Sequence, residues 1–106
     1  MSMLRHFILI KYHKETPEEH IETFCRKMSA LQESIPEINE LEIGRDILQE
    51  SRSWDLILVM GFESVPALRR YQQHEKHQAV MQFNAPYVAE VAAIDYAIPY
   101  CDPHIN

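Results

Sequence analysis

Apolar residues crowd the segment from Leu4 to Tyr12, LRHFILIKY, and no Gly or Pro interrupts them, which predicts a first strand. The four residues Thr16-Pro17-Glu18-Glu19 then carry the marks of a helix start. Thr16 suits the cap, Pro17 the first helical position, and Glu19 completes a capping box. Beyond them Ile21, Phe24, Cys25, Met28, Leu31 and Ile35 recur at spacings of three and four, which makes one apolar helical face ending at Pro36. Leu41 to Leu48 sets Leu41, Ile43 and Ile47 against Glu42 and Asp46, the alternation of a half-exposed strand. The polar run Gln49 to Ser53 reads as a hairpin connection, and Trp54 to Phe62 as a strand buried on both faces. Ser64 caps a second helix with Pro66 in its first turn. Its pattern runs through Ala67, Leu68 and Tyr71, breaks, and resumes through Ala79, Val80 and Phe83 as far as Pro86. Val88 to Ile98 is the last expected strand.

The resulting order, strand, helix, strand, strand, helix, strand, is that of a ferredoxin-like α+β fold with a four-stranded antiparallel sheet. Two helices cover one face of such a sheet, yet both faces of its strands are apolar here. In the first strand His6, Ile8, Ile10 and Tyr12 point one way while Phe7 and Leu9 point the other. In the third, Leu56, Leu58, Met60 and Phe62 oppose Ile57 and Val59. A lone subunit would leave several hundred Å² of apolar sheet in water, a size that marks interfaces. At about 25 cal/mol per Å² the gain from covering it is many kcal/mol before association costs. A two-fold homodimer with its sheets packed face to face, a dimeric α+β barrel, is the expected assembly.

The length of 106 residues fits one domain, with its core at about 4–98 and 99–106 as a tail. A net charge of −6 with only ten scattered Lys and Arg argues against nucleic acid and against an anionic membrane as partners. The apolar run Phe7 to Ile10 is too short for a signal segment or a membrane span. Cys25 and Cys101 form no disulfide framework, so the expected location is the cytoplasm. No GxGxxG, P-loop or GxSxG pattern occurs, and no nucleotide cofactor is implied.

The ordered set Arg5-His6-Phe7-Ile8-Leu9-Ile10-Lys11-Tyr12, Trp54-Asp55-Leu56-Ile57-Leu58-Val59, Phe62-Glu63-Ser64, then Tyr71, His74, His77 and Gln78, then Ala85-Pro86-Tyr87-Val88 and Ile94-Asp95-Tyr96, resembles the stress-responsive dimeric α/β-barrel (Dabb) family. The resemblance spans Leu4 to Ile98 and implies a dimeric α+β barrel. Many family members are known only as stress-associated proteins. One plant member closes a polyketide chain by an aldol reaction without metal or cofactor. Its acid–base pair, a tyrosine and a histidine, falls on Tyr71 and His77 here. A pocket histidine on its first strand falls on His6, and two further polar pocket positions fall on Leu56 and Met28. A proline frequent in the family after the first helix histidine is Glu75 here.

The residues themselves allow that chemistry and a plainer alternative. His77 suits a general base and Tyr71 a donor to a developing enolate oxygen. Equally, Tyr71 packs as an amphipathic core residue and His77 satisfies a backbone group at a helix end. His6 is either a pocket group or a core histidine, and His74 is a further pocket candidate. His74 and His77 stand three apart, as metal-binding histidines can, but no HExxH or Cys cluster supports a metal. His13, His20 and His104 read as solvent residues, and Cys101, Asp102 and His104 as tail rather than site. Two functions follow. The first is a homodimer with a small apolar pocket for a carbonyl or aromatic compound, capable of cofactor-free acid–base chemistry. The second is a stress-associated structural dimer with a filled core and no pocket.

Overall fold

A computed structural model describes residues 3–98; the expectations for Cys101, Asp102, His104 and the tail lie outside the described residues. The elements are β1 (Met3–Tyr12), α1 (Glu18–Ser34), β2 (Glu40–Arg45), β3 (Leu56–Phe62), α2 (Val65–Gln73), α3 (Glu75–Asn84), a 3-10 turn (Ala85–Tyr87) and β4 (Val88–Ile98). The strands form one antiparallel sheet in the order β2-β3-β1-β4, the ferredoxin-like α+β arrangement. Ile10 and Tyr12 of β1, the alternate residues Leu56, Leu58, Met60 and Phe62 of β3, and the α1 stripe Ile21, Phe24, Met28 and Leu31 form the core under the helices.

Registry fixes what the two faces carry, because directly paired residues share a face. Ile8 pairs with Leu58 on one side and Ala93 on the other, all toward the helices. Phe7 pairs with Val59 and Ile94, and Leu9 with Ile57 and Ala92, all toward the open face. Phe7 stacks on Tyr96 with ring centroids 5.7 Å apart. Ile94 is 61% exposed and Tyr96 44%. In this subunit β3 is therefore buried on the helix side, while Ile57 and Val59 are only half-buried on the other.

Several expected element ends shift, each for a local reason. Pro17, not Thr16, is the cap of α1; it is extended and offers no side-chain hydrogen bond. The Thr16 hydroxyl instead reaches the Tyr87 carbonyl at 3.5 Å, and no capping box forms. Glu18, at the start of α1, is drawn to Arg45 by two hydrogen bonds of 2.8 and 3.1 Å. The second strand ends at Arg45 rather than Leu48, because the Asp46 carboxylate accepts the Gln49 N–H at 2.6 Å and turns the chain. Gln49 takes φ of 52°, and Ile47 beside it is 89% exposed. The third strand starts at Leu56 rather than Trp54, since the Asp55 carboxylate accepts from the Tyr12 N–H at 2.8 Å. Ser64 caps α2 as expected, accepting from Ala67 N–H at 3.3 Å. His20 overturns its reading as a solvent residue. It is buried on the α1 stripe, four residues before Phe24, between the rings of Phe83 and Tyr87.

Candidate active site

The helical break after Tyr71 lies at His74, whose extended backbone ends α2 and begins α3. A helix end leaves carbonyls without intrahelical donors. One of them, on Gln72, accepts the Nδ1–H of His77 at 3.1 Å. That bond selects the tautomer and leaves Nε2 as the basic nitrogen. Tyr71, on the last turn of α2, packs against His77 with ring centroids 4.3 Å apart. Both line a cavity of about 450 Å³ between α2, α3 and the covered face of the sheet. Its walls are mostly apolar, with Ile8, Ile10, Leu58, Met60 and Met81 among them.

Tyr71 is 2% exposed, and among the described residues its hydroxyl makes no hydrogen bond. Burial pushes its pKa well above the usual tyrosine range, so the hydroxyl stays a donor. His77 is pushed the other way. Its burial lowers the pKa more than the Gln72 carbonyl raises it, and His6 and His74 lower it further. At neutral pH His77 is therefore an uncharged base beside a protonated phenol.

His6 reaches the same cavity from β1. Its Nδ1 is hydrogen-bonded to the Asp95 carboxylate, the residue directly across the β1–β4 ladder. Asp95 thereby orients the ring. Phe62 lies between His6 and Tyr71, with centroids 6.1 and 5.1 Å away.

The remaining expected site residues separate from this group. His74 caps α3, its Nδ1 accepting from Lys76 N–H at 3.1 Å, and its side chain does not line the cavity. Leu56 and Met28 are core residues outside the lining. Two polar residues that line the cavity, Gln72 and Asn84, were not anticipated at all. Asn84 closes the far end of the cavity, and its Oδ1 accepts from the Tyr12 hydroxyl at 2.8 Å and from His20 Nε2 at 2.9 Å. Burial raises Tyr12 to about 12, against the Asn84 bond that lowers it, so Tyr12 donates. The signal for Asn84 was its spacing. His77, Met81 and Asn84 stand at i, i+4 and i+7 and share a helix face.

A carboxylate-oriented histidine, a neutral histidine and a buried phenol around a mostly apolar cavity can remove a proton from carbon next to a carbonyl. The phenol can donate to the oxygen as its charge develops.

The stress responsive A/B barrel domain model matches residues 4–98. Among curated proteins none matches the sequence. A dimeric ferredoxin-like protein of unknown function from Thermobifida fusca superposes with a TM-score of 0.83 at 25% identity, covering 92% of each chain. A hydroxynitrile lyase from Passiflora edulis does so at 0.83 and 17% identity, over 95% of this chain and 97% of that one. A Dabb family protein with a ferredoxin-like fold from Mesorhizobium loti scores 0.78 at 20% identity, over 95% and 100%. Among the described residues no helix is long and apolar enough to cross a membrane.

Proposed function

We propose, for a chain that belongs to the stress responsive A/B barrel domain family, a homodimer whose subunits bind a small, partly apolar carbonyl compound and catalyse proton transfer next to its carbonyl. His77 Nε2 takes the proton. The Tyr71 hydroxyl donates to the enolate oxygen, and His6, oriented by Asp95, holds the ligand. The enolate so formed can recapture a proton or attack a second carbonyl, which is cyclase- or lyase-like chemistry. The observation that carries this reading is the Tyr71–His77 pair, with its tautomer set by Gln72, on the wall of an apolar cavity of about 450 Å³. The hydroxynitrile lyase of the same fold supports only the claim that this architecture can hold a small-molecule active site.

The alternative, a structural dimer with a filled core, requires side chains packed solidly around Tyr71 and His77. A cavity stands there instead and favours the first reading. The dimer rests on the apolar open face and on relatives described as dimeric.

The test is exchange of α-hydrogens in D2O, followed by proton NMR over a panel of small ketones and 1,3-dicarbonyl compounds. Native protein is expected to exceed buffer for a subset of them. For that subset His77→Ala should lower the rate by about 10²–10⁴-fold, and Tyr71→Phe by about 10²–10³-fold. Rates equal to buffer for every compound, or variants that match native protein, overturn the proposal.

A further inference from the structure

The proposed chemistry uses one end of the cavity and leaves Asn84 unexplained. Asn84 is 3% exposed. Its Oδ1 is committed to Tyr12 and His20, which hold the amide plane from two sides. His20 is itself fixed, with ring centroids 4.6 Å from Phe83 and 3.9 Å from Tyr87. The Nδ2 group makes no hydrogen bond among the described residues and is not sealed from the cavity that Asn84 lines. A buried amide donor held in place and left without an acceptor is costly unless something else supplies one. Asn84 stands seven residues after His77 on the same helix face, about 10 Å along α3 at 1.5 Å per residue. Between them the wall is apolar: Ile8, Ile10, Leu58, Met60 and Met81.

We infer that Asn84 Nδ2 is a specificity-determining donor, and that the cavity takes an elongated ligand with two acceptor oxygens separated by an apolar chain. One carbonyl sits at Tyr71 and His77, and a second, neutral carbonyl sits on Asn84. The far oxygen is neutral because among the described residues no Lys or Arg lines the cavity, so a carboxylate there would be buried beside an uncharged amide. Tyr12 and His20 act through Asn84 and are positioning residues. This inference rests on the carbonyl-binding reading of the cavity and narrows its substrate class.

The test compares two probes that differ by one carbonyl, 2-nonanone and 2,8-nonanedione. Binding is measured by titration at pH 8, with the Asn84 side-chain amide followed by NMR. Native protein is expected to bind the dione about tenfold more tightly, and only the dione should move the Nδ2 protons downfield. Asn84→Leu should keep 2-nonanone binding and lose the preference. Because that change strips Tyr12 and His20 of their acceptor, Asn84→Asp provides the second variant. It keeps an oxygen for both but presents an acceptor to the ligand, and the preference should vanish there too. Equal binding of the two probes to native protein, or a preference that survives in Asn84→Asp, overturns the inference. If neither ketone binds, the carbonyl-binding reading itself falls and takes this inference with it. If 2-nonanone alone binds, only the second donor role is lost.

Discussion

The two faces of the sheet are built from the same strands and come out chemically opposite. Toward the helices, β1 contributes His6, Ile8 and Ile10 to a cavity whose polar residues, Tyr71, Gln72, His77, His6 and Asn84, are few. Toward the open side the same strand contributes Phe7 and Leu9, which join Ile57, Val59, Ile94 and Tyr96. Polarity on that side lies toward the margins: Glu42 and the Arg5–Glu40 contact of 3.4 Å toward β2, and the paired Lys11 and Glu90 toward the end of the β1–β4 ladder. Both faces hold apolar surface away from ideal packing. On the open face the buried Arg5 Nε lacks a hydrogen-bond partner among the described residues. On the helix side the Tyr71 hydroxyl and Asn84 Nδ2, which make no hydrogen bond among the described residues, belong to residues lining a cavity large enough for a ligand. Apolar area alone is satisfied by any complementary apolar surface, and a second copy is the one always available. A donor without an acceptor asks for a particular atom.

A charge on the open face should break this comparison most severely. Ile94→Glu is expected to leave the subunit folded, because Ile94 is mostly exposed within it. Two-fold symmetry applies the substitution twice. Each isoleucine no longer buried forfeits about 1.5–3 kcal/mol, so dimer dissociation should rise by about 10²–10⁴-fold. Sedimentation velocity across a concentration series reads this directly. A dimer as tight as the native one would mean that the open face is not the interface.

On the helix side the largest stability effect is expected at His20. Replacing it with Ala removes a hydrogen bond to Asn84 and the ring packed between Phe83 and Tyr87. The cost should be about 2–3 kcal/mol, or roughly 10–20 °C in Tm, measured by thermal circular dichroism. An exposed histidine would move stability by about 0.5 kcal/mol or less. A smaller effect is expected at Tyr71. Its hydroxyl makes no hydrogen bond among the described residues and is not sealed from the cavity that Tyr71 lines. Tyr71→Phe should therefore hold stability to within about 1 kcal/mol or raise it slightly, even as it lowers turnover. A larger loss of stability would mean that the hydroxyl already has a partner and is not available to a ligand.

The contrast between His20 and Tyr71 also marks what a linear chain reveals. The order of elements, the Ser64 cap and the break after Tyr71 were legible, because each depends on residues within a turn of one another. The alternation in β1 put His6 on one face with Ile8 and Ile10, while Tyr71 and His77 were indicated by the family resemblance and not by any strand pattern. Strand ends were not legible where Asp46 and Asp55 bond the backbone and override the apolar pattern. The His20–Asn84–Tyr12 cluster joins residues 64 and 72 positions apart, and no local pattern announces such a contact. His20 lay in plain view on the α1 stripe, but its charge-bearing type outweighed its spacing. Asp95 could be placed on a face but not opposite His6, because the register of β1 against β4 is set by the whole sheet.

The mildest prediction separates the covered face into its electrostatic parts. Burial lowers the pKa of His77 in the folded chain, while the unfolded chain titrates near the ordinary histidine value of about 6.5. Between the lower folded value and about 6.5 the unfolded state binds more protons, so stability rises with pH there. The contribution of His77 is complete above about 6.5, is lost as pH falls through the folded value, and is flat below it. Urea unfolding from pH 4.5 to 8 on native protein and His77→Gln isolates this component, since titrations common to both chains cancel in the difference. Native protein should lose stability relative to the variant as the solution is acidified. The opposite slope would mean that the Gln72 carbonyl outweighs burial and keeps His77 protonated near neutrality. A cationic histidine can orient a carbonyl but cannot take its α-proton, and the base would then have to be sought at His6.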